Sequence, residues 1–145
     1  MDQEYIQQFR ECLRVLEKEI FLQNTASCCN GVSLSQCHAL LEIENNEKIS
    51  VTELAQNMQL DKSTVSRTVD GLVKMDMVDR VIPDENRRKA ILNLTEKGEK
   101  VSRTISYSND SYVKNILQDF SDQEREVFLG LLRKLSRNML VEREN

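Results

Sequence analysis

Small hydrogen-bonding side chains cluster at the start of a segment that is predicted to form a helix from Lys62 to Met75. The cluster consists of Lys62, Ser63, Thr64, Ser66 and Arg67. Side chains of this size let a helix enter the major groove of DNA, which is about 12 Å wide, and hydrogen-bond to the edges of the bases. An ordinary amphipathic surface helix would more often carry pairs of Glu and Lys four residues apart, and few are present. The pattern therefore predicts a DNA recognition helix.

A basic turn follows that helix after a short interval. Residues 83–88, with the sequence PDENRR, lie between two predicted strands, Val78 to Ile82 and Lys89 to Leu94. Alone, this segment would be interpreted as an ordinary charged turn. After a recognition helix, a β-hairpin of this kind brings its basic tip to the minor groove or to the phosphates. We therefore predict that Arg87 and Arg88 also contact DNA.

Three of the four cysteines, Cys28, Cys29 and Cys37, fall within ten residues. They span a predicted loop and the first turn of the next helix, so folding of the loop could bring the three sulfur atoms together. Grouped thiolates bind thiophilic ions such as Zn(II) or As(III), and they can also form a reversible disulfide. The alternative is that they pack as small hydrophobes, as cysteines often do. Cys12 lies beside an apolar stripe and is interpreted as a packing residue.

Helix signals flank these groups on both sides. Apolar residues recur every three or four positions from Ile6 to Ile20, which predicts a helix over residues 2 to about 26. Capping-box spacings predict three further helix starts, at Ser33 with Gln36, at Ser50 with Glu53, and at Ser121 with Glu124. The narrow apolar stripe of the first helix requires a partner helix. The last helix carries a second apolar stripe, which favours a dimer over pairing within one chain.

Single capping residues start the remaining two helices. Asp61 is predicted to cap the recognition helix, and Thr95 to cap a long helix that ends near Asp119. The apolar residues expected on the buried face of the recognition helix are Val65, Val69, Leu72 and Val73.

Composition and charge limit the function classes. The chain has 145 residues with 4 glycines and 1 proline, which favours a mainly helical single domain. The net charge is −4, yet residues 48–100 hold 10 basic and 9 acidic side chains, so a small, localised DNA contact fits better than broad binding. No apolar run approaches the roughly 20 residues of a membrane span, and no signal peptide is recognisable. We expect a soluble cytoplasmic protein with reduced cysteines.

The segments DKSTVSRTVDGLVKMDMVDRV and LNLTEKG, with the basic turn between them, resemble a MarR-type winged-helix transcriptional regulator. The resemblance covers nearly the whole chain and implies a mainly α fold with a small β wing, in one domain over residues 1–145. Residues 33–95 would form the winged-helix DNA-binding lobe, and residues 2–32 and 96–145 the dimerisation helices and linker. It also implies a homodimer that binds a pseudo-palindromic operator in double-stranded DNA, most commonly as a repressor.

The resemblance assigns roles to individual positions. The positions that correspond to the major-groove helix of the family are Ser63, Thr64, Ser66 and Arg67, and those that correspond to its wing are Arg87 and Arg88. Members often have Asp immediately before the paired arginines, whereas this chain has Asn86, so Asp84 is the alternative brace. Members commonly release DNA on binding a small molecule, oxidant or metal between the dimerisation helices and the winged helix, which is where the cysteine segment would lie. No cofactor is required.

Three alternatives accompany this interpretation. The regulator could respond to a small aromatic ligand while its cysteines are purely structural. A winged helix can also serve as a protein-interaction module, although such modules tend to lose the basic wing and polar helix face that are kept here. An enzyme is not expected, because His38 and Cys37 are adjacent on a helix, point about 100° apart and make a poor dyad. The sequence also lacks a phosphate-binding glycine loop and a nucleophile elbow.

Overall fold

The computed structural model describes residues 1–26, 31–83 and 89–144. In chain order its elements are α1 (Gln3–Ala26), α2 (Leu34–Asn45), β1 (Ile49–Ser50), α3 (Val51–Met58), α4 (Lys62–Lys74), β2 (Val78–Val81), β3 (Ile91–Leu94), α5 (Glu96–Ile116) and α6 (Asp122–Glu144). The predicted mainly helical fold with a small β-sheet is confirmed. The chain divides into two compact units, Met1–Ser108 and Asn109–Asn145. Within the described ranges, every helix is too short or too polar to cross a bilayer.

The helices predicted from capping boxes begin where the sequence indicates. Ser33 Oγ accepts the backbone N–H of Gln36 at 3.2 Å, and Gln36 Oε1 accepts the backbone N–H of Ser33 at 2.9 Å. The same reciprocal bonds join Ser50 and Glu53 at 3.2 and 2.8 Å, and an equivalent pair starts α6. Each box satisfies backbone donors that have no partner inside the helix.

The three strands form an antiparallel sheet in the order β1, β3, β2. Leu92 of β3 lies opposite both Ile49 of β1 and Arg80 of β2. β2 and β3 lie within the two predicted strand segments but are shorter, since Ile82 and Lys89 fall outside them. The sequence does not predict β1, because two residues are too few to show an alternating pattern.

α4 contributes one continuous stripe to the hydrophobic core of the first unit. Val65, Val69 and Leu72 are all 0% exposed. The prediction that Val73 belongs to this buried face is wrong, because its exposed fraction is 39%. Each residue rotates an α-helix by about 100°, which carries Val73 past the edge of the stripe. Met77, just beyond the helix, is buried instead, at 1% exposed.

The start of α5 is docked on the turn that follows α4. Thr95 Oγ1 donates to the Asp76 carbonyl at 2.7 Å, and the Thr95 N–H donates to the Met77 carbonyl at 3.1 Å. Thr95 also caps α5, as predicted, by accepting the N–H of Gly98 at 3.0 Å. A Cβ on Gly98 would lie 2.0 Å from the Met77 carbonyl oxygen, so this approach requires glycine.

Large apolar side chains are exposed on the helices at the two ends of the chain. On α1, Phe9, Leu16 and Ile20 are between 42% and 55% exposed. None of the described residues of α6 is buried. Its exposed apolar side chains include Val127, Phe128, Leu131, Leu132 and Met139. Single exposed apolar residues are ordinary, but extended apolar faces of this kind mark interaction surfaces.

Candidate nucleic-acid interface

α3, the turn after it and α4 form a helix-turn-helix. α3 ends at Met58 and is capped by Gln59, which adopts a left-handed conformation with φ of 54° and donates its N–H to the Gln56 carbonyl at 3.2 Å. Asp61 then starts α4, since its Oδ1 accepts the backbone N–H of Thr64 at 2.8 Å. The predicted cap at Asp61 is therefore confirmed.

The polar face of α4 points away from its buried stripe. Lys62, Ser63 and Arg67 are exposed, whereas Thr64 and Ser66 are half-buried. The structure therefore brings all five predicted major-groove residues together on one helix, with three of them fully on the solvent side. Their contact with DNA stays a prediction.

Asp61 also binds the hydroxyl groups of two residues in the first turn of the helix. Ser63 Oγ donates to Asp61 Oδ1 at 2.5 Å, and Thr64 Oγ1 donates to Asp61 Oδ2 at 2.6 Å. These hydroxyl donors, joined by the Thr64 N–H, hold the pKa of Asp61 far below its usual range. Arg67 Nη2 in turn donates to Thr64 Oγ1 at 3.5 Å, the outer limit of a hydrogen bond. From the sequence, Asp61 is recognised only as a helix cap.

α2 supports α4 along its half-buried side. The hydroxyls of Ser35 and Thr68 are 3.4 Å apart, and Thr68 Oγ1 also donates to the Thr64 carbonyl at 3.1 Å. A Cβ on Gly71 would lie 2.6 Å from Gln36 Nε2, so the two helices approach closely at that point. The polar face of α4 is thus presented by a helix that is packed on its opposite side.

Two ion pairs fix the base of the predicted wing to the helix-turn-helix. Arg80 of β2 contacts Asp70 of α4 at 2.5 Å, and Lys89, just before β3, contacts Glu53 of α3 at 2.7 Å. The Lys89 hydrogen bond, followed by those from Ser50, lowers the pKa of Glu53 from 4.5 to about 2. Sequence reasoning missed both pairs, because their partners are 10 and 36 residues apart and belong to different elements.

The tip of the wing cannot be compared with the prediction. Arg87 and Arg88, together with Asp84 and Asn86, lie outside the described residues. The assignment of both arginines to DNA contact, and the role of Asp84 as a brace for one of them, remain predictions. The described hairpin ends at Pro83 on one side and resumes at Lys89 on the other.

The cysteine group is only partly described. Cys28 and Cys29 lie outside the described residues, and Cys37 is a half-buried residue of α2 that packs against the core. The described part of the chain contains no group of three residues suited to hold a metal ion, so the predicted site stays untested. Cys12 is exposed on α1, and its interpretation as a packing residue therefore depends on a partner.

A shallow cleft of about 500 Å³ lies between α2 and α3. Its apolar lining includes Leu41, Met58 and Leu60, and its polar lining includes His38 and Glu42. A volume of this order is typical of sites for small organic molecules, which span roughly 300–1,000 Å³.

Known proteins share this arrangement of elements. A family model described as the MarR family matches residues 32–90. The HTH-type transcriptional repressor YetL of Bacillus subtilis (strain 168) is 28% identical over 102 residues, which cover 70% of this chain and 61% of that protein.

Solved structures match over almost the whole chain. A MarR family protein from Bacillus stearothermophilus has a TM-score of 0.77 and 26% identity, over 97% of this chain and 99% of that chain. FabT of Streptococcus pneumoniae, solved in complex with DNA, has a TM-score of 0.82 over 92% of this chain and 96% of that chain. At 19% identity, this second likeness shows the fold alone.

Proposed function

We propose that this chain, whose residues 32–90 match the model of the MarR family, is a helix-turn-helix transcriptional regulator of that family, and that it binds a pseudo-palindromic operator in double-stranded DNA as a homodimer and represses transcription. The repressor named among its relatives supports the direction of regulation. A protein with this role acts in the cytoplasm and needs neither a membrane nor a catalytic centre.

The polar face of α4 is the observation that carries the proposal. Ser63 and Arg67 are exposed on the helix whose opposite side, at Val65 and Val69, is fully buried. A recognition helix needs this combination, since one face must anchor it in its domain while the other enters the major groove. The ion pair between Lys89 and Glu53 would place the wing beside the same groove.

The exposed apolar faces of α1 and α6 support the homodimer. Burial of apolar area contributes about 25 cal/mol per Å², so a second copy that covers Phe9, Leu16 and the apolar face of α6 would be stabilised by their removal from water. A two-fold dimer then presents two copies of α4 to half-sites that are about 34–36 Å apart.

A titration with DNA tests the proposal. A labelled duplex that carries the region upstream of the protein's own gene is compared with a scrambled duplex of equal length and composition. We expect the upstream duplex to bind about 10³-fold more tightly, with two chains per site. A reporter transcribed from the same region should fall in expression when the protein is present. Equal affinity for both duplexes across several salt concentrations would contradict sequence-specific binding.

We further propose that Cys28, Cys29 and Cys37 sense a thiophilic metal, metalloid or oxidant that releases the operator. Cys37 sits on α2, the helix that packs against α4 through Ser35 and Thr68, so a change at its side chain can reach the recognition helix. Replacing all three cysteines with Ser should leave DNA affinity unchanged and abolish release by Zn(II), As(III) or peroxide. Cys12→Ser is the matched control and should behave as the wild type. Release that persists in the triple variant would assign the sensor elsewhere.

A small aromatic effector is the second candidate, and the cleft between α2 and α3 is the observation in its favour. Leu41 and Met58 would contact an aromatic ring, and His38 lines the same cleft. A panel of phenolic compounds added to the operator complex distinguishes the candidates, since release by a phenol but not by thiophiles would leave the cysteines with a structural role.

A further inference from the structure

Asp61 controls more than the start of the recognition helix. Its carboxylate is ionised at neutral pH and can therefore only accept hydrogen bonds. Ser63 Oγ lies 2.5 Å from one carboxylate oxygen and Thr64 Oγ1 lies 2.6 Å from the other. Each hydroxyl has a single proton, so in both residues that proton points at Asp61.

The two hydroxyls are consequently left with lone pairs alone for any external partner. A serine or threonine in the major groove can ordinarily donate to one base and accept from another. Ser63 is exposed and its proton is committed to Asp61, whereas Thr64 is half-buried and one of its two lone pairs accepts from Arg67 at 3.5 Å. Ser63 therefore behaves as an acceptor toward the groove.

In the major groove, each base presents a distinct set of hydrogen-bond acceptors and donors. Guanine presents N7 and O6 and thymine presents O4, all acceptors, whereas the exocyclic amino groups of adenine and cytosine are donors. Resting on the proposed function, we infer that Asp61 is a specificity-determining residue that polarises Ser63, so that Ser63 selects a base presenting an amino group in each half-site. Asp61 itself need not touch the base and acts as a positioning residue.

Functional-group deletion in the DNA tests this inference. Once the operator is known, adenines are replaced one at a time by purine, which lacks the amino group, and cytosines by pyrimidin-2-one. Parallel duplexes carry 7-deazapurines, which lack the N7 acceptor. Each duplex is titrated with the wild type and with Ser63→Ala, whose exposed position poses no threat to folding. We expect amino deletion at one position per half-site to weaken the wild type about tenfold more than Ser63→Ala.

Asp61→Ser then separates polarisation from contact. Serine is also a good helix cap, and it leaves the Ser63 proton free to turn toward the DNA. The coupling between Ser63 and the amino group is the factor by which amino deletion weakens binding more when Ser63 is present than when it is replaced by Ala. This factor should fall at least threefold when Asp61 is replaced by Ser. Asp76→Asn is the matched control, since it removes one negative charge just beyond the same helix, at a left-handed position that Asn tolerates, and leaves the Asp61 hydroxyl bonds intact. It should retain the full coupling.

The outcomes distinguish failure of this inference from failure of the proposed function. If Ser63 couples to N7 instead of an amino group, if it couples to neither, or if a folded Asp61→Ser variant keeps the full coupling, the inference is overturned while operator binding stands. If the wild type does not distinguish its operator from scrambled DNA, the proposed function fails first. Should Asp61→Ser not fold, the cycle with Ser63→Ala still decides whether Ser63 accepts or donates.

Discussion

Arg67 and the wing arginines should affect DNA binding in different ways. Arg67 is exposed on the polar face of α4, so Arg67→Ala should change base preference, at a cost of about 1–3 kcal/mol for the preferred sequence. Arg87→Ala or Arg88→Ala should instead weaken all sequences alike and reduce the salt slope by about one unit for each lost phosphate contact. Titrations of operator and scrambled duplexes over a series of salt concentrations measure both quantities. An unchanged slope would remove that wing arginine from the contact set.

Glu53 should give the protein a measurable acid sensitivity. Its folded-state pKa of about 2 lies below the ordinary value of 4.5, because Lys89 and Ser50 donate to its carboxylate. The ionised form therefore favours folding above pH 4.5, and this contribution is lost as the pH falls toward 2. Glu53→Gln keeps the capping box but loses the ion pair, so it should be less stable than the wild type at neutral pH and should approach it as the pH nears 2.

Urea unfolding midpoints at a series of pH values measure that difference. Glu126→Gln, at an exposed position of α6, serves as the control for loss of a surface carboxylate. A difference for Glu53→Gln that does not vary with pH would contradict the assignment of the low pKa to this ion pair.

Which residues are candidates for DNA contact can be predicted from the sequence, but the direction in which their hydroxyl protons point cannot. Ser63 and Arg67 are recognisable as candidate major-groove contacts from their size, polarity and spacing on a helix. That the Ser63 hydroxyl donates to Asp61 depends on side-chain rotamers, which local spacing does not determine. The contacts of Glu53 and Asp70 with the wing depend on how separate elements pack.

Gly98 is the residue on which the docking of α5 most depends. Its missing side chain lets the helix approach the Met77 carbonyl oxygen, from which an added Cβ would be only 2.0 Å away. Gly98→Ala should destabilise the protein by roughly 3 kcal/mol, near the upper end of the range for overpacking. A Cβ added to Gly130 of α6 would meet no atom of the described chain within 4 Å, so Gly130→Ala should stabilise by about 0.5–1 kcal/mol. Thermal unfolding of the two variants checks the contrast, and equal effects would contradict it.

Element starts are more predictable than element faces and ends. Capping residues act within three positions, so Ser33, Ser50 and Thr95 identify helix starts from the sequence alone. Burial depends on which neighbours arrive from elsewhere, which explains why the core assignment of Val73 is wrong. β1 exists because Ile49 pairs with Leu92, a residue distant in sequence, and has no local signal.

The whole molecule should lose its function when its terminal apolar stripe is charged. Leu16 lies in the stripe that runs from Ile6 to Ile20 and is 55% exposed, so Leu16→Glu should produce monomers with greatly weakened operator binding. Val15→Glu is the matched control, because Val15 is also exposed, at 60%, but is rotated about 100° from the stripe. Sedimentation velocity measures the mass of each variant. If the Leu16→Glu variant remains a dimer and keeps full DNA affinity, the subunit interface lies elsewhere.

The contacts between the turn after α4 and the start of α5 mean that the ends of these two helices should open together. Lys97 Nζ and the Thr95 hydroxyl bind the carbonyls of Met75 and Asp76 at 2.8 and 2.7 Å, so the end of α4 cannot fray without release of the start of α5. In deuterated solvent, the amides of Met77 and Thr95 should therefore exchange at one common slow rate, well below that of isolated helix ends. The end of α4, the predicted recognition helix, is then kept folded by a helix that lies outside the predicted DNA contacts.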